Sequence, residues 1–250
     1  MTSDVFVIVA AYDEADRIAA TLAALGRAFP GAPVWVADDG SSDGTAAIAE
    51  AAGATVVRSE RMVGKGGAVT LAVRAALRDI AGEAPEQGTG AALRGVVADP
   101  SGGVRERVAL LCDGDLGDSA ARLGPLVETV QRGDADLAVA VFSKRVGGGL
   151  GLAVGFAGWA IRRRCGLALR APISGQRAVR ASVLEQVLPF AHGFGMEIGM
   201  TIDLTRATSI ARVREVDLDL HHRATGKTLA GFVHRGRQLF DFVRVYMARR

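Results

Sequence analysis

The chain has 250 residues, 49% of them apolar and 23% charged, with a formal net charge of +3. That length gives one large domain or two small ones, and the apolar content is ample for a globular core. Two features argue against secretion or a membrane span. The apolar run Val5–Ala11 is too short for a signal peptide and follows Asp4, and the uncharged stretch between Arg145 and Arg162 is 16 residues, short of the ~20 that a spanning helix needs. The two cysteines, Cys112 and Cys165, sit in apolar surroundings without metal-like spacing and read as buried thiols in a reducing compartment.

The first half alternates strands and helices. "VFVIVAA" is a continuous apolar run, suited to a strand covered on both faces, and is followed by Ile18, Leu22 and Leu25 at helical spacing. "VWVA" is a second strand. It ends in "DDGSSDGT", a turn that supplies N-caps for a helix from about Thr45 to Ala52. "ATVVR" then leads to "RMVGKGGA" and a helix with Val69, Val73, Ala76 and Leu77 on one face. This grammar predicts an α/β fold with an open, mostly parallel sheet flanked by helices.

Residues 82–107, rich in Gly, Pro and Ala, interrupt the pattern and read as a surface insertion before "VALLCDGDLGDS". Further on, Val146–Ala171 is apolar, glycine-rich and ends in arginines. It suits either a buried segment or a helix on a membrane surface. The stretch Leu229–Met247 reads as an amphipathic helix. Leu229, Phe232, Val233, Leu239, Phe240, Val243 and Met247 form its packing face, opposite Arg235, Arg237 and Arg244.

Charge is unevenly spread. Residues 201–250 hold ten Lys or Arg against five Asp or Glu, a net of +5, which leaves −2 for the first 200 residues. Arg162–Arg180 contains six arginines and no acid. That arrangement favours an anionic substrate or surface on the C-terminal side, or else a solvated basic face.

The polar clusters all follow strands. In open α/β sheets ligands bind beyond the carboxyl ends of the strands, so "AAYDEAD", "DDGSSDGT" and "CDGDLGD" are expected to line one crevice. Asp113 and Asp115 would share one side of a strand and repel unless a cation intervened. A divalent ion held by hard oxygen ligands would remove that repulsion and stabilise charge developing on a departing diphosphate. A solvated turn is the bland reading of the pair. Asp38 and Asp43 could equally serve as turn caps, and the glycines beside Lys65 permit close backbone approach.

"VIVAAYDEADRI", "VWVADDGSSDGT", "GKGGAV" and "LLCDGDLGDS", in this order, resemble the nucleotide-sugar domain of family-2-type glycosyltransferases with the GT-A fold. The match covers roughly residues 5–145 apart from the insertion. The resemblance implies a nucleotide-sugar site at Ala11, Tyr12, Glu14, Asp38, Asp39, Lys65 and Asp113. Asp39 would accept from a uracil ring, Asp38 would brace its loop and Lys65 would approach the phosphates. Asp113 and Asp115 would form the DxD motif and hold Mg²⁺ or Mn²⁺, with Asp115 also catalytic.

The second half resembles two families. "RAPISGQRAVRASVL" is similar to a region of polyprenyl-phosphate glycosyltransferases that handles a lipid phosphate. "GFGMEIGMTIDL" with "LDLHHRATGKTLAGFVHRGRQ" resembles glucosyl-3-phosphoglycerate synthase. The latter implies His222 as a metal ligand and Glu197 as a catalytic residue near the acceptor. No "ED" pair and no "QxxRW" segment is present, which disfavours a processive synthase. A phosphate acceptor needs orienting more than deprotonating, so an anionic acceptor bound by Arg162, Arg163, Arg164, Ser174, Gly175 and Arg177 is expected. A polyprenyl phosphate is placed ahead of a small phosphorylated acid.

The 250 residues are thus expected to form a single GT-A glycosyltransferase domain, with a nucleotide-sugar half to about residue 145 and an acceptor half from about residue 146. Its expected partners are a nucleotide-sugar, first a UDP-sugar, and an anionic acceptor, with no nucleic acid; a peripheral membrane contact and a homodimer are left open. Its expected place is the cytoplasm or the inner membrane face. A nucleotide-binding scaffold without catalysis is the rival from another class. A nucleotidyltransferase is weaker, lacking a glycine-rich, basic loop after Val9.

Overall fold

The computed structural model describes residues 3–82, 96–98, 104–143, 152–207, 212–220 and 229–249. In chain order its main elements are β1 (Val5–Ala11), α1 (Ile18–Ala28), β2 (Val34–Asp38), α2 (Thr45–Ala51), β3 (Thr55–Arg58), α3 (Lys65–Gly82), β4 (Val96–Ala98), β5 (Val104–Glu106), β6 (Val108–Asp113), α4 (Gly124–Gln131), β7 (Leu137–Phe142), α5 (Leu152–Cys165), β8 (Arg177–Arg180), α6 (Ala181–Gln186), α7 (Met196–Ala207), β9 (Val213–Leu218) and α8 (Leu229–Ala248). Seven strands form one sheet in the order β3-β2-β1-β6-β8-β7-β9. Only β8 runs against the others, pairing antiparallel with both β6 and β7. The expected α/β sheet, open and mostly parallel, is therefore present. Residues beyond 146 complete it by supplying β8 and β9.

The continuous apolar run of β1 follows from its central place. Val5, Val7 and Val9 face a core layer shared with Ile18, Leu22 and Leu25 of α1. Phe6 and Ile8 face the opposite layer, built with Val69, Val73 and Leu77 of α3. Alternate side chains enter opposite layers, so neither face can be polar. Each fully buried Val, Ile or Leu contributes about 1.5–3 kcal/mol. A third cluster joins Ala157 and Ile161 of α5, Ile198 and Ile202 of α7, and Phe242 and Val245 of α8.

Three expectations are sharpened or corrected. The insertion from 82 to 107 carries strand pairing of its own, β4 and β5 running antiparallel with Val96 opposite Glu106. It enters the sheet at the amino end of β6, because Glu106 bonds Arg180 (3.2 Å) and Arg180 lies opposite Val108, the first residue of that strand. Its base is therefore at the end of the sheet opposite the expected crevice. Second, the packing face of α8 is misassigned. Phe242 and Val245 are buried, whereas Phe240, Val243 and Met247 are 69%, 40% and 45% exposed, and exposed Arg244 lies among these three rather than opposite them. Third, Cys165 is only half-buried, unlike Cys112, and both thiols are free. Among the described residues no helix is long and apolar enough to cross a membrane.

Candidate active site

The carboxyl ends of β1, β2 and β6 bring their loops together through specific bonds. Ala11 carbonyl accepts from Asp39 N–H (3.1 Å), and Gly114 N–H donates to Ala10 carbonyl (2.8 Å). Asp13, held at φ 52, accepts from Ser42 N–H (2.8 Å) while its own N–H donates to Ser41 Oγ (3.0 Å). Glu14 N–H donates to Thr45 Oγ1 (2.8 Å) and Ala15 N–H to Asp43 Oδ2 (3.0 Å). Thr45's hydroxyl bond holds the Asp43 carboxyl below its usual range. Tyr12 stays 45% exposed at the rim, its phenol pushed up by the charge of Asp13.

The paired aspartates after β2 do different work. Asp38 is fully buried. Its Oδ1 accepts from Ser41 N–H (2.9 Å) and the Ser41 hydroxyl, and its Oδ2 faces Arg58 Nε at 3.4 Å. Asp39 Oδ1 accepts from Val63 N–H (2.7 Å) and Gly64 N–H (3.1 Å). Burial raises the Asp39 pKa despite those two donors. Asp39 thus anchors the loop that starts α3 and delivers Lys65.

The glycines around Lys65 serve that delivery. A Cβ at Gly66 would lie 1.8 Å from Ala191 carbonyl oxygen, and one at Gly64 would lie 3.0 Å from the backbone of Gly193. The loop therefore seats directly on the segment before α7. That segment is held from behind by Asp241 of α8, which accepts from Phe194 N–H (3.0 Å).

Lys65 is the centre of the arrangement. Its Nζ lies 2.6 Å from Asp113 Oδ1 and 2.8 Å from Glu197 Oε1. Burial opposes its charge, but Asp113 and Glu197 outweigh burial and push its pKa up. Asp113 Oδ2 accepts from Gln176 Nε2 (2.9 Å). Because β8 is antiparallel, Ser174, Gly175 and Gln176 precede it at the same end of the sheet as Asp113, Arg177 standing opposite Leu111. A Cβ at Gly175 would lie 2.6 Å from both Lys65 Nζ and Asp113 Oδ2. Glu197 occupies the first turn of α7, 5% exposed, where the helix dipole favours its charge.

The two carboxylates Asp113 and Asp115 are therefore placed differently from the expectation. β6 ends at Asp113, and Asp115 lies beyond it in a turn, so the two do not share a strand face. The cation beside Asp113 is Lys65. Thr21 fixes the turn, donating to Gly114 carbonyl (2.7 Å) and accepting from Gly117 N–H (2.8 Å). Arg17 reaches Asp115 carbonyl (3.2 Å). Gly114 is tightly seated, since a Cβ there would approach Ile18 Cδ1 at 3.2 Å and Ala10 carbonyl oxygen at 3.3 Å. Half-buried Asp115 offers hard oxygen to a cation, and His222 lies outside the described residues. Among the described residues no three His, Cys, Asp or Glu side chains form a metal-holding group.

The expected anion clamp is not gathered at this site. Arg177 is 1% exposed and donates to the carbonyls of Ser174 (2.8 Å), Glu197 (3.0 Å) and Pro172 (3.0 Å) and to Thr201 Oγ1 (3.0 Å). Burial pulls its pKa down to about 10, against the opposing charge of Glu197. Arg164 stacks on Tyr246, 4.2 Å from the ring centroid, and Arg170 pairs with Glu215 and Asp217. Arg180 faces the opposite end of the sheet, pairing with Glu106 and Asp136. Arg162 and Arg163 are exposed on α5. Replacing Arg177 with methionine strips donors from four buried acceptors, and Arg177→Lys cannot restore them from one nitrogen. Both variants are expected to lose about 3 kcal/mol or more in urea unfolding, in parallel with activity; full stability with a raised acceptor KM would instead make Arg177 an acceptor ligand.

Sequence reasoning placed the DxD turn, the Asp38–Asp39 pair and Lys65 at one end of the sheet. It missed the Lys65–Glu197 pair, Gln176 on Asp113, Thr21 and Asp241. Gln176 was visible only as part of "SGQR", where the neighbouring arginine drew the functional reading.

Residues 6–82 match the model of the family described as Glycosyl transferase family 2. No curated protein matches the chain. Crystal structures of glucosyl-3-phosphoglycerate synthase from Mycobacterium tuberculosis share the fold. The complex with Mn²⁺, UDP-glucose and glycerol 3-phosphate is 24% identical at a TM-score of 0.71, covering 99% of this chain and 80% of that one. The complex with Mn²⁺, UDP and glucosyl-3-phosphoglycerate is 21% identical at 0.70, with coverage of 99% and 80%. The complex with Mg²⁺ and UDP is 23% identical at 0.69, with coverage of 99% and 79%. The family-2 resemblance read from the motifs is thus borne out, and the fold is GT-A.

Proposed function

We propose that the chain transfers a sugar from a nucleotide-sugar, first a UDP-sugar, to a small phosphorylated acid in the cytoplasm, with a divalent cation. The observation that carries this reading is Lys65, held between Asp113 and Glu197 where the DxD turn, the loop of Asp39 and the Ser174–Gln176 segment meet. A lysine has three N–H donors; two are committed, and the third is available to a diphosphate oxygen. Asp39, which spends Oδ1 on the backbone, has Oδ2 for a base N–H. Tyr12, whose phenol feels the charges of Asp13 and Asp39, and Glu14 lie on the loop after β1.

Asp115, with Asp113 beside it and His222 by resemblance, would hold Mg²⁺ or Mn²⁺, and such an ion supplies Lewis-acid stabilisation of charge on the leaving diphosphate. One or two carboxylates completed by substrate phosphates are a usual Mg²⁺ donor set, which this site fits. Glu197 is oriented by Lys65 at Oε1, and its other oxygen would accept from the acceptor hydroxyl. Ser174 and Gly175 border the same space.

A small acid is placed ahead of the polyprenyl phosphate because most of the Arg162–Arg180 stretch is engaged elsewhere, and because the relatives of similar fold were solved with phosphoglyceric acid or glucosyl-3-phosphoglycerate. The lipid acceptor is the second reading, supported by the exposed apolar residues of α5 and α8. The test is a matrix of UDP-, GDP- and ADP-sugars against phosphoglyceric acid and a short polyprenyl phosphate, with Mn²⁺ present. Sugar transfer from a UDP-sugar to phosphoglyceric acid is expected. Transfer to the lipid alone would reverse the acceptor order, and neither donor hydrolysis nor transfer with any pair would leave a nucleotide-binding scaffold.

A further inference from the structure

The α5–α8 pair presents an apolar surface that the proposed chemistry does not use. On α5, Leu152 and Trp159 are 66% and 50% exposed, and they stand seven residues apart on one helical face with exposed Arg162 and Arg163 beside them. On α8, Phe240, Val243 and Met247 follow the i, i+3, i+7 spacing of one face, and exposed Arg244 lies within that stripe. The two faces join through tilted and edge-on ring contacts. Trp159 lies 5.0 Å from Tyr246 and 5.5 Å from Phe156, with Phe156 and Tyr246 6.1 Å apart.

This surface has one sign of charge. Helix α5 contains no acid, and Asp241 of α8 is turned to Phe194 N–H. Arg162, Arg163 and Arg244 have no ion-pair partner among the described residues. An exposed tryptophan with aliphatic neighbours and flexible arginines around them suits the boundary between lipid headgroups and acyl chains. A second copy fits less well. A two-fold interface through this face would set the arginines of each copy against the same apolar, acid-free face of the other. An apolar stripe left outside among the described residues, where the sequence reading expected packing, calls for an occupant.

We infer that the outer face of α5 and α8 docks the protein onto an anionic lipid bilayer, with Trp159, Phe240, Val243 and Met247 entering the headgroup boundary and Arg162, Arg163 and Arg244 holding acidic headgroups. The inference does not depend on the transferase reading or on which acceptor is used, and its test measures binding alone.

The experiment is co-sedimentation of the full chain with vesicles of phosphatidylcholine alone or with phosphatidylglycerol added, alongside tryptophan fluorescence. Trp35 is buried at 4% exposure, so a vesicle-induced blue shift reports Trp159. Binding is expected to the anionic vesicles only, to weaken with salt, and to fall about 100-fold in the Arg162→Ser/Arg163→Ser/Arg244→Ser variant, each arginine near the surface being worth about fivefold. A Trp159→Ser/Phe240→Ser variant should lose binding while it stays folded, its unfolding midpoint lowered only by the lost ring contacts of Trp159 with Phe156 and Tyr246. No binding to anionic vesicles, binding that neither variant weakens, or a solution dimer that the Trp159→Ser/Phe240→Ser change dissociates while vesicles are ignored would each overturn the inference.

Discussion

Replacing Lys65 with methionine is expected to cut sugar transfer by about 10²–10³-fold, the usual cost of removing one preorganised donor from developing charge. The same change leaves Asp113 and Glu197 facing each other without their shared cation. Breaking a buried ion pair from one side costs about 3–5 kcal/mol. The Lys65 side chain is 25% exposed and that of Asp113 33%, so solvent screening lowers the expected cost below that range, to about 2–3 kcal/mol. The pH dependence separates this cause from lost packing. Because the Lys65 pKa is held above its ordinary value, its contribution is complete below that value and is lost only as pH rises through the raised one. The parent's contribution from this group is therefore flat between about pH 5 and 9. In the variant the two carboxylates repel when both are ionised, so its deficit should be small near pH 4 and grow towards pH 7. Urea unfolding of both proteins across that range measures it; a deficit independent of pH would show that the ion pairs are not its source.

Gly175→Ala is expected to abolish most activity at a smaller cost in stability than Lys65→Met. The added methyl would lie 2.6 Å from Lys65 Nζ and Asp113 Oδ2 and 2.9 Å from Asp113 Oδ1. The end of a lysine can move aside, so the fold survives, but the lysine then leaves the position from which it reaches Asp113 and Glu197 together. A loss of about 10²-fold or more in kcat follows from displacement of a donor by an ångström. An unfolding midpoint between those of the parent and of Lys65→Met, with the Lys65→Met defect adding little activity loss in the double variant, marks displacement of the lysine as the cause. Near-parental kcat in Gly175→Ala would place the reacting atoms elsewhere.

What the sequence made legible was local. The buried run of β1, the turn residues after β2 and the helical spacing in α1 and α3 each carry their signal within a dozen residues. The rule that ligands gather beyond strand carboxyl ends then brought Asp38, Asp39, Lys65, Asp113 and Asp115 to one side of the sheet. What stayed hidden depends on the one reversed strand. Because β8 runs antiparallel, its start meets the DxD turn while its end points away. One short stretch thus sends Gln176 to Asp113 and Arg180 to the opposite end, and a run of arginines contiguous in sequence is dispersed in space. The face of α8 misled for a related reason: hydrophobic spacing locates an apolar stripe but not whether protein covers it. Arg177 shows the limit of reading charge alone, since a guanidinium can be spent on backbone carbonyls that no sequence pattern announces.

The most direct test of a metal-dependent nucleotide-sugar site is calorimetric titration of the purified chain with UDP, with and without Mn²⁺, in the parent and in Asp115→Ala. The account predicts that Mn²⁺ tightens UDP binding at least tenfold in the parent, a coupling of about 1.4 kcal/mol, and that Asp115→Ala retains weak binding without the tightening. UDP binding that Mn²⁺ does not change, or Mn²⁺-dependent binding equally strong in Asp115→Ala, would contradict it.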